Sequence, residues 1–209
     1  MNFIENAKWR YATKKYDSSK KVSQKDLEFI KEAVNLAATS YGLQPFKVLI
    51  IENPEIRKQL QPVSWGQSQI VDASHLFVFV NMLNPGEKEI DAYVENIAEV
   101  RGTSAAALQG FSNYIKGAVG KFSSEQKAIW TSKQTYLALG NLLNAAAELK
   151  IDATPIEGFE PAQYNEILGL TEKGLNASLV AAIGYRSAED GNQHLKKVRK
   201  PLEELFEII

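Results

Sequence analysis

From Ser123 to Lys150 the sequence reads as one unbroken helix, and no other feature restricts the fold as much. Ser123 and Gln126 have the spacing of a capping box at its start. Tyr136, Leu139, Leu143, Ala146 and Leu149 then recur at helical spacing and predict the buried face. At about 1.5 Å per residue the segment spans roughly 42 Å. Its small residues Ala138, Gly140 and Ala145 allow another helix to approach closely. Such a helix belongs at the centre of the fold or in a subunit interface.

The rest of the chain is expected to pack around it. Phe46 to Ile51 (FKVLII), Leu76 to Val80 (LFVFV) and Ser178 to Ile183 (SLVAAI) read as strands. The first two are almost continuously apolar, so sheet buried on both faces is expected. Helices are predicted from Asn2 to about Arg10–Thr13, from Ser23 with Asp26 as its capping acid, over Pro54–Leu60, and through Ile90, Val94 and Ile97 to Gly102. A less regular helix covers 104–116, and another starts at Pro161 with Glu160 as its cap. Val63 to Ile70 reads as a loop, Thr154 to Phe159 as a turn-rich stretch, and the tail 201–209 as helix or strand. Three strands and about six helices, not in strict alternation, point to an α+β fold with helices packed on a small mixed or antiparallel sheet. With 209 residues and no Pro/Gly/Ser linker, the chain is expected to form a single domain over 1–209.

The composition excludes several chemistries. There is no cysteine, hence no disulfide, thiol nucleophile or Cys-ligated zinc or iron–sulfur centre. His75 and His194 lie far apart in sequence, and no metal site is expected. There is no Gly-x-Gly-x-x-Gly after a strand, no Walker lysine loop and no nucleophile elbow. No apolar stretch approaches a membrane span, and the N-terminus lacks the apolar core of a signal peptide, so the expectation is a cytoplasmic protein with no membrane partner.

Charge is uneven. Residues 1–21 carry a net +4 and residues 194–201 another +4, in a chain whose net charge is −1, so the remainder carries −9. An acidic body with two basic ends is not the composition of a nucleic-acid-binding domain. The two ends are either solvated termini or, if they meet in the fold, an anion site. Arg10 and Lys14 fall on one side whether the segment is helical or extended, and Lys197 and Arg199 share a side in an extended strip. Arginine offers a bidentate fork and lysine a point charge, which suits a phosphate. Thr39-Ser40-Tyr41-Gly42 places two hydroxyls after a helix end. Pro155-Ile156-Glu157-Gly158 offers exposed amides and a glycine with no side chain to obstruct a flat ligand. Alone, each of these also reads as an ordinary turn or surface.

In combination they say more. RYATKKYD near the start, TSYGLQP after the second helix, SWGQSQIVDASH before the second strand, KQTYLALGNLL in the long helix, TPIEGF after it and KVRKP near the end resemble, in this order, the nitroreductase family of FMN-dependent oxidoreductases. The likeness is to its oxygen-insensitive NAD(P)H nitroreductase and dihydropteridine reductase branch, and covers essentially the whole chain. The resemblance implies a homodimer with FMN in the interface, the long helix at that interface, and NADH or NADPH as hydride donor in ping-pong turnover. It implies nitroaromatics, quinones or similar flat molecules as acceptors. By position, Arg10, Tyr11, Ala12 and Lys14 match the segment along the pyrimidine edge and ribityl chain. Lys197 and Arg199, with Arg10, match the phosphate clamp. Thr39, Ser40 and Gly42 match the stretch reaching the other subunit's FMN. Pro155, Ile156, Glu157 and Gly158 match the loop against the flavin ring, where a backbone amide meets N5. Lys14 and Glu157 are then the residues that tune the flavin, with no side-chain acid or base required. Three departures stand out: Gly66 and Gly42 replace asparagine, and Gln69 replaces a second flavin-facing lysine, with Gln67 and Gln69 as substitute contacts. The same resemblance admits ene reduction or dihydropteridine reduction as alternative reactions. The non-enzymatic alternative is an anion-binding dimer.

Overall fold

The structure is a computed structural model describing residues 3–209. Asn2, expected to cap the first helix, lies outside the described residues. In chain order the helices are α1 (Phe3–Trp9), α2 (Gln24–Asn35), α3 (Pro54–Leu60), α4 (Gln69–Asp72), α5 (Glu87–Arg101), α6 (Gln109–Val119), α7 (Ser124–Glu148), α8 (Pro161–Ile167) and α9 (Leu202–Leu205). The strands are β1 (Phe46–Ile51), β2 (His75–Met82), β3 (Asp152–Ile156) and β4 (Leu175–Gly184). They form one antiparallel sheet in the order β1-β2-β4-β3.

Both faces of the sheet are covered because β2 and β4 supply apolar residues to both. Phe77, Phe79, Leu179, Ala181 and Ile183 pack with Leu27, Ile30 and Val34 of α2 and with Ala138, Leu142, Ala145 and Ala146 of α7. Leu76, Val78, Val80, Val180 and Ala182 pack on the other face with Leu60, Ile70, Tyr164 and Leu170. The expectation of a doubly covered sheet holds for β2, whose residues from His75 to Asn81 are all buried. It fails for β1, which is half-exposed apart from Ile51. β1 is an edge strand, paired with β2 alone, and its apolar run covers one face without being enclosed.

The capping signals at Ser23 and Ser123 are realised. Ser23 Oγ accepts from the Asp26 amide, and Ser123 and Gln126 exchange bonds at the start of α7. Glu160 precedes α8 but makes no side-chain cap; its carboxylate accepts from the Trp65 indole at 3.0 Å. Three further expectations are corrected. Thr154 to Ile156 is strand, because Thr154 and Ile156 pair with Ala182 and Val180 across β4. Pro155 is tolerated there because β3 is an edge. The stretch 63–70 is not all loop: a 3-10 turn over Pro62–Ser64 is followed by the start of α4. Tyr136 is not on the buried face of α7 but 45% exposed.

His75 opens β2 as a buried imidazole, with Nδ1 2.9 Å from Ser74 Oγ. Burial lowers its pKa; Glu52 opposes this, and Arg57 and Lys21 reinforce it. The unfolded chain therefore binds the proton more readily, and stability falls as pH drops from about 6.5 toward the lower folded value. The melting temperature should fall between pH 7 and pH 5.5, and His75→Asn should flatten that slope; equal slopes would contradict the assignment.

Candidate functional site

The two basic ends meet. After α1 the chain runs as an open strip from Arg10 to Lys15, then joins the end of β4 through the Tyr16–Arg186 bridge and the Ser187 amide donating to the Lys15 carbonyl at 2.9 Å. The C-terminal strip from Asn192 to Arg199 lies against it. Lys197 Nζ donates to the carbonyls of Ala7, at 2.6 Å, and of Arg10, tying the tail to the end of α1.

Between the strips is a cavity of about 420 Å³ lined by Lys8, Arg10, Lys14, Lys196, Lys197 and Arg199, with no acid among its described lining residues. A neighbouring recess of about 370 Å³ continues from Arg10, Lys197 and Arg199 to Gly140, Leu143 and Asn144 of α7. Burial lowers the pKa of Arg10, and the charge of Arg199 lowers it further against a smaller opposing effect of Tyr16. Burial likewise lowers Lys197, followed by Arg10 and Arg199. Arg10 Nε is buried without a hydrogen-bond acceptor among the described residues. Three crowded cations and an orphaned guanidinium N–H are what a phosphate group would satisfy.

This arrangement is held from behind by residues the sequence did not mark. Arg186 stacks between Trp9 and Tyr11, 4.5 Å from each ring centroid. Its Nη2 and Nε lie 2.6 and 2.8 Å from Asp152 Oδ1. Asp152, 3% exposed, also accepts from Thr13 Oγ1 and the Arg186 amide. Asp190 accepts from Tyr11 and from the amides of Lys14 and Lys15. An acid destined for burial has no local signature; Asp190-Gly191-Asn192 reads only as a turn.

The loop after β3 stands beside the middle of α7. Ile156 is buried, so only its backbone can face a ligand. Glu157 accepts a hydrogen bond from Tyr136 Oη, and burial together with this bond raises the Tyr136 pKa to about 12. Among the described residues the amides of Glu157 and Gly158 donate to no other group. A Cβ at Gly158 would come within 2.8 Å of the ring of the exposed Trp65, so a side chain there would have to push that ring aside. Gln67 Nε2 donates to the carbonyls of Ser64 and Gly158 at 3.0 and 2.8 Å, and so braces this loop. Gln69 is only 5% exposed within α4.

Thr39, Ser40 and Gly42 lie elsewhere. The Ser40 amide donates to Gln134 and its hydroxyl accepts from Trp130, both of α7. Gly42 has φ +79°, and an added Cβ would collide with the Tyr93 hydroxyl. Nine residues of α7 separate Gln134 from Leu143 beside the Arg10 recess, about 14 Å along the axis. Within one chain the structure thus brings 10–14 and 197–199 together and holds 39–42 apart.

The family model for the nitroreductase family matches residues 7–185. The chain belongs to the nitroreductase family. It is 34% identical over 213 residues to the major NAD(P)H-flavin oxidoreductase of Aliivibrio fischeri, covering 99% of this chain and 98% of the relative. It is 38% identical over 192 residues to the candidate NAD(P)H nitroreductase YfkO of Bacillus subtilis, covering 85% and 86%. Its fold matches that of a candidate nitroreductase of Exiguobacterium sibiricum, crystallised with FMN, at a TM-score of 0.83 and 22% identity over 100% of this chain and 98% of that one.

Proposed function

We propose that this chain is an FMN-dependent NAD(P)H oxidoreductase that reduces nitroaromatics, quinones or similar flat acceptors, with residues 1–209 acting as one unit. The observation that carries this reading is the convergence of Arg10, Lys197 and Arg199 on one cavity with no acid among its described lining residues. Arg10 and Arg199 hold the phosphate, and Lys197 adds charge while fixing the tail to α1. Tyr11, Ala12 and Lys14 would hold the ribityl chain and the pyrimidine edge, where the Lys14 ammonium would favour negative charge on the reduced ring. The free amides of Glu157 and Gly158 would donate to the flavin ring, with Pro155 and Ile156 setting the backbone that presents them. Tyr136 fixes the Glu157 side chain, and Gln67 the Gly158 carbonyl. FMN held there would supply two-electron hydride chemistry between NAD(P)H and the acceptor. No acid or base of the chain is needed for that step.

The partner is a second copy of this chain. Ile129, Tyr136 and Leu137 leave an apolar stripe exposed along α7, and Leu202, Leu205 and Phe206 of the tail are more than 60% exposed. Stripes of this kind are interface surface. Pairing across α7 lets Thr39, Ser40 and Gly42 of one subunit approach the cofactor held by the other. No described helix is long and apolar enough to cross a membrane. We place the protein in the cytoplasm, where reduced nicotinamide is regenerated.

An anaerobic absorption spectrum tests the proposal. The protein should purify with, or take up, stoichiometric FMN, bleach with NADH or NADPH, and recover its colour with a nitroarene or a quinone. A colourless protein that takes up no FMN would refute the site assignment. Faster recovery with an enone than with either would replace the acceptor class with ene substrates.

A further inference from the structure

Asp190 is 1% exposed and belongs to no element of the sheet or the helices around it. Its two oxygens face different segments. Oδ2 accepts from Tyr11 Oη at 3.0 Å, from the Lys14 amide at 2.7 Å and from the Lys15 amide at 3.3 Å. Oδ1 accepts from the Asn192 amide at 3.0 Å and caps the 3-10 turn over Gly191–His194 that leads into the C-terminal strip. Every polar contact of the carboxylate among the described residues is therefore a donor from one of the two basic strips. Burial raises its pKa, but the Lys14, Asn192 and Lys15 amides and the Tyr11 hydroxyl outweigh that and hold it below the usual carboxylate range.

We propose that Asp190 is the positioning residue of the cofactor site, a buried carboxylate that holds the Arg10–Lys15 and Asn192–Arg199 strips in one register so that their cations close on a single phosphate. The inference rests on the FMN reading above. Only a carboxylate satisfies this geometry. An amide side chain has one acceptor oxygen and one NH2 group. Whichever way the amide introduced by Asp190→Asn turned, its NH2 would face a backbone N–H, and one strip would be released.

The test separates phosphate recognition from ring binding. Wild type, D190N and D190E are titrated with FMN and with riboflavin, which lacks the phosphate, by quenching of flavin fluorescence, and each apoprotein is melted. The wild type should prefer FMN over riboflavin. D190N should lose about tenfold of that preference, the equivalent of one charged hydrogen bond, and D190E should regain most of it. A D190N protein that melts earlier but keeps the wild-type preference would overturn the proposal and leave Asp190 a structural residue. Should D190N not fold, Y11F removes one donor from the intact carboxylate and should lower the preference about threefold; an unchanged preference there overturns it equally. A wild type that binds neither flavin would overturn the FMN reading and this inference with it, whereas normal wild-type binding with unmoved variants overturns this inference alone.

Discussion

Arg199→Ala should raise the dissociation constant for FMN about 100-fold while leaving the apoprotein as stable as before or slightly more so. The two effects have opposite signs because they arise from the same charge. Arg199 makes no ion pair among the described residues; its Nη1 donates to the neighbouring Val198 carbonyl at 2.6 Å. Its charge lowers the pKa of both Arg10 and Lys197, which means that the three cations repel one another in the folded chain. A phosphate reverses the sign of that crowding. An arginine fork contributes two charge-assisted hydrogen bonds of about 1.5 kcal/mol each, and about 3 kcal/mol corresponds to a little over 100-fold in affinity. Fluorescence titration gives the first number and a thermal melt of the flavin-free protein the second. The same electrostatics makes wild-type FMN affinity fall with added salt, and the Arg199→Ala variant less so. Unchanged FMN affinity in the variant would remove the C-terminal strip from the site.

The local parts of this molecule were legible, and the long-range parts were not. Strand β1 was read to the residue because FKVLII is bounded by Pro45 and by Glu52-Asn53-Pro54, and the start of α7 because its capping box is complete. β3 carries no strand signal of its own, because Asp152-Ala-Thr-Pro-Ile has a proline and no alternation, and its strand character comes from pairing with β4. Helical spacing places Tyr136 with the core, but α7 carries apolar residues on more than one face, so spacing alone does not say which face the sheet covers. The cations Arg10, Lys14, Lys197 and Arg199 were visible as charge on an otherwise acidic chain. Charge and spacing alone leave their convergence open, and only the family resemblance implies it, since it depends on Asp190, Asp152 and Arg186, whose partners lie up to 179 residues away. Trp65 was hidden similarly: its ring explains Gly158, yet 93 residues separate them in sequence.

Asp152→Ala should be the most destabilising single change near the site, by about 3–4 kcal/mol, because it leaves a charge and two donors stranded. Arg186 has 20% of its side chain exposed and is pressed between two aromatic rings, so water cannot replace the lost carboxylate on all sides. Thr13 is fully buried and its hydroxyl donates to Asp152, as does the Arg186 amide. For a chain of this size the loss corresponds to a fall in melting temperature of roughly 10 °C. Asp152→Asn keeps the shape and an acceptor and should lose less. The decisive comparison is the double variant Asp152→Ala with Arg186→Leu. Removing both charges relieves the uncompensated guanidinium, so the double variant should be more stable than Asp152→Ala alone. Both should bind FMN less well than wild type, because Trp9 and Tyr11 lose the cation that holds them and the Arg10 strip is freed. If the double variant is as unstable as the sum of its parts, the pair is not coupled, and the strip is held by the sheet edge and Asp190 alone.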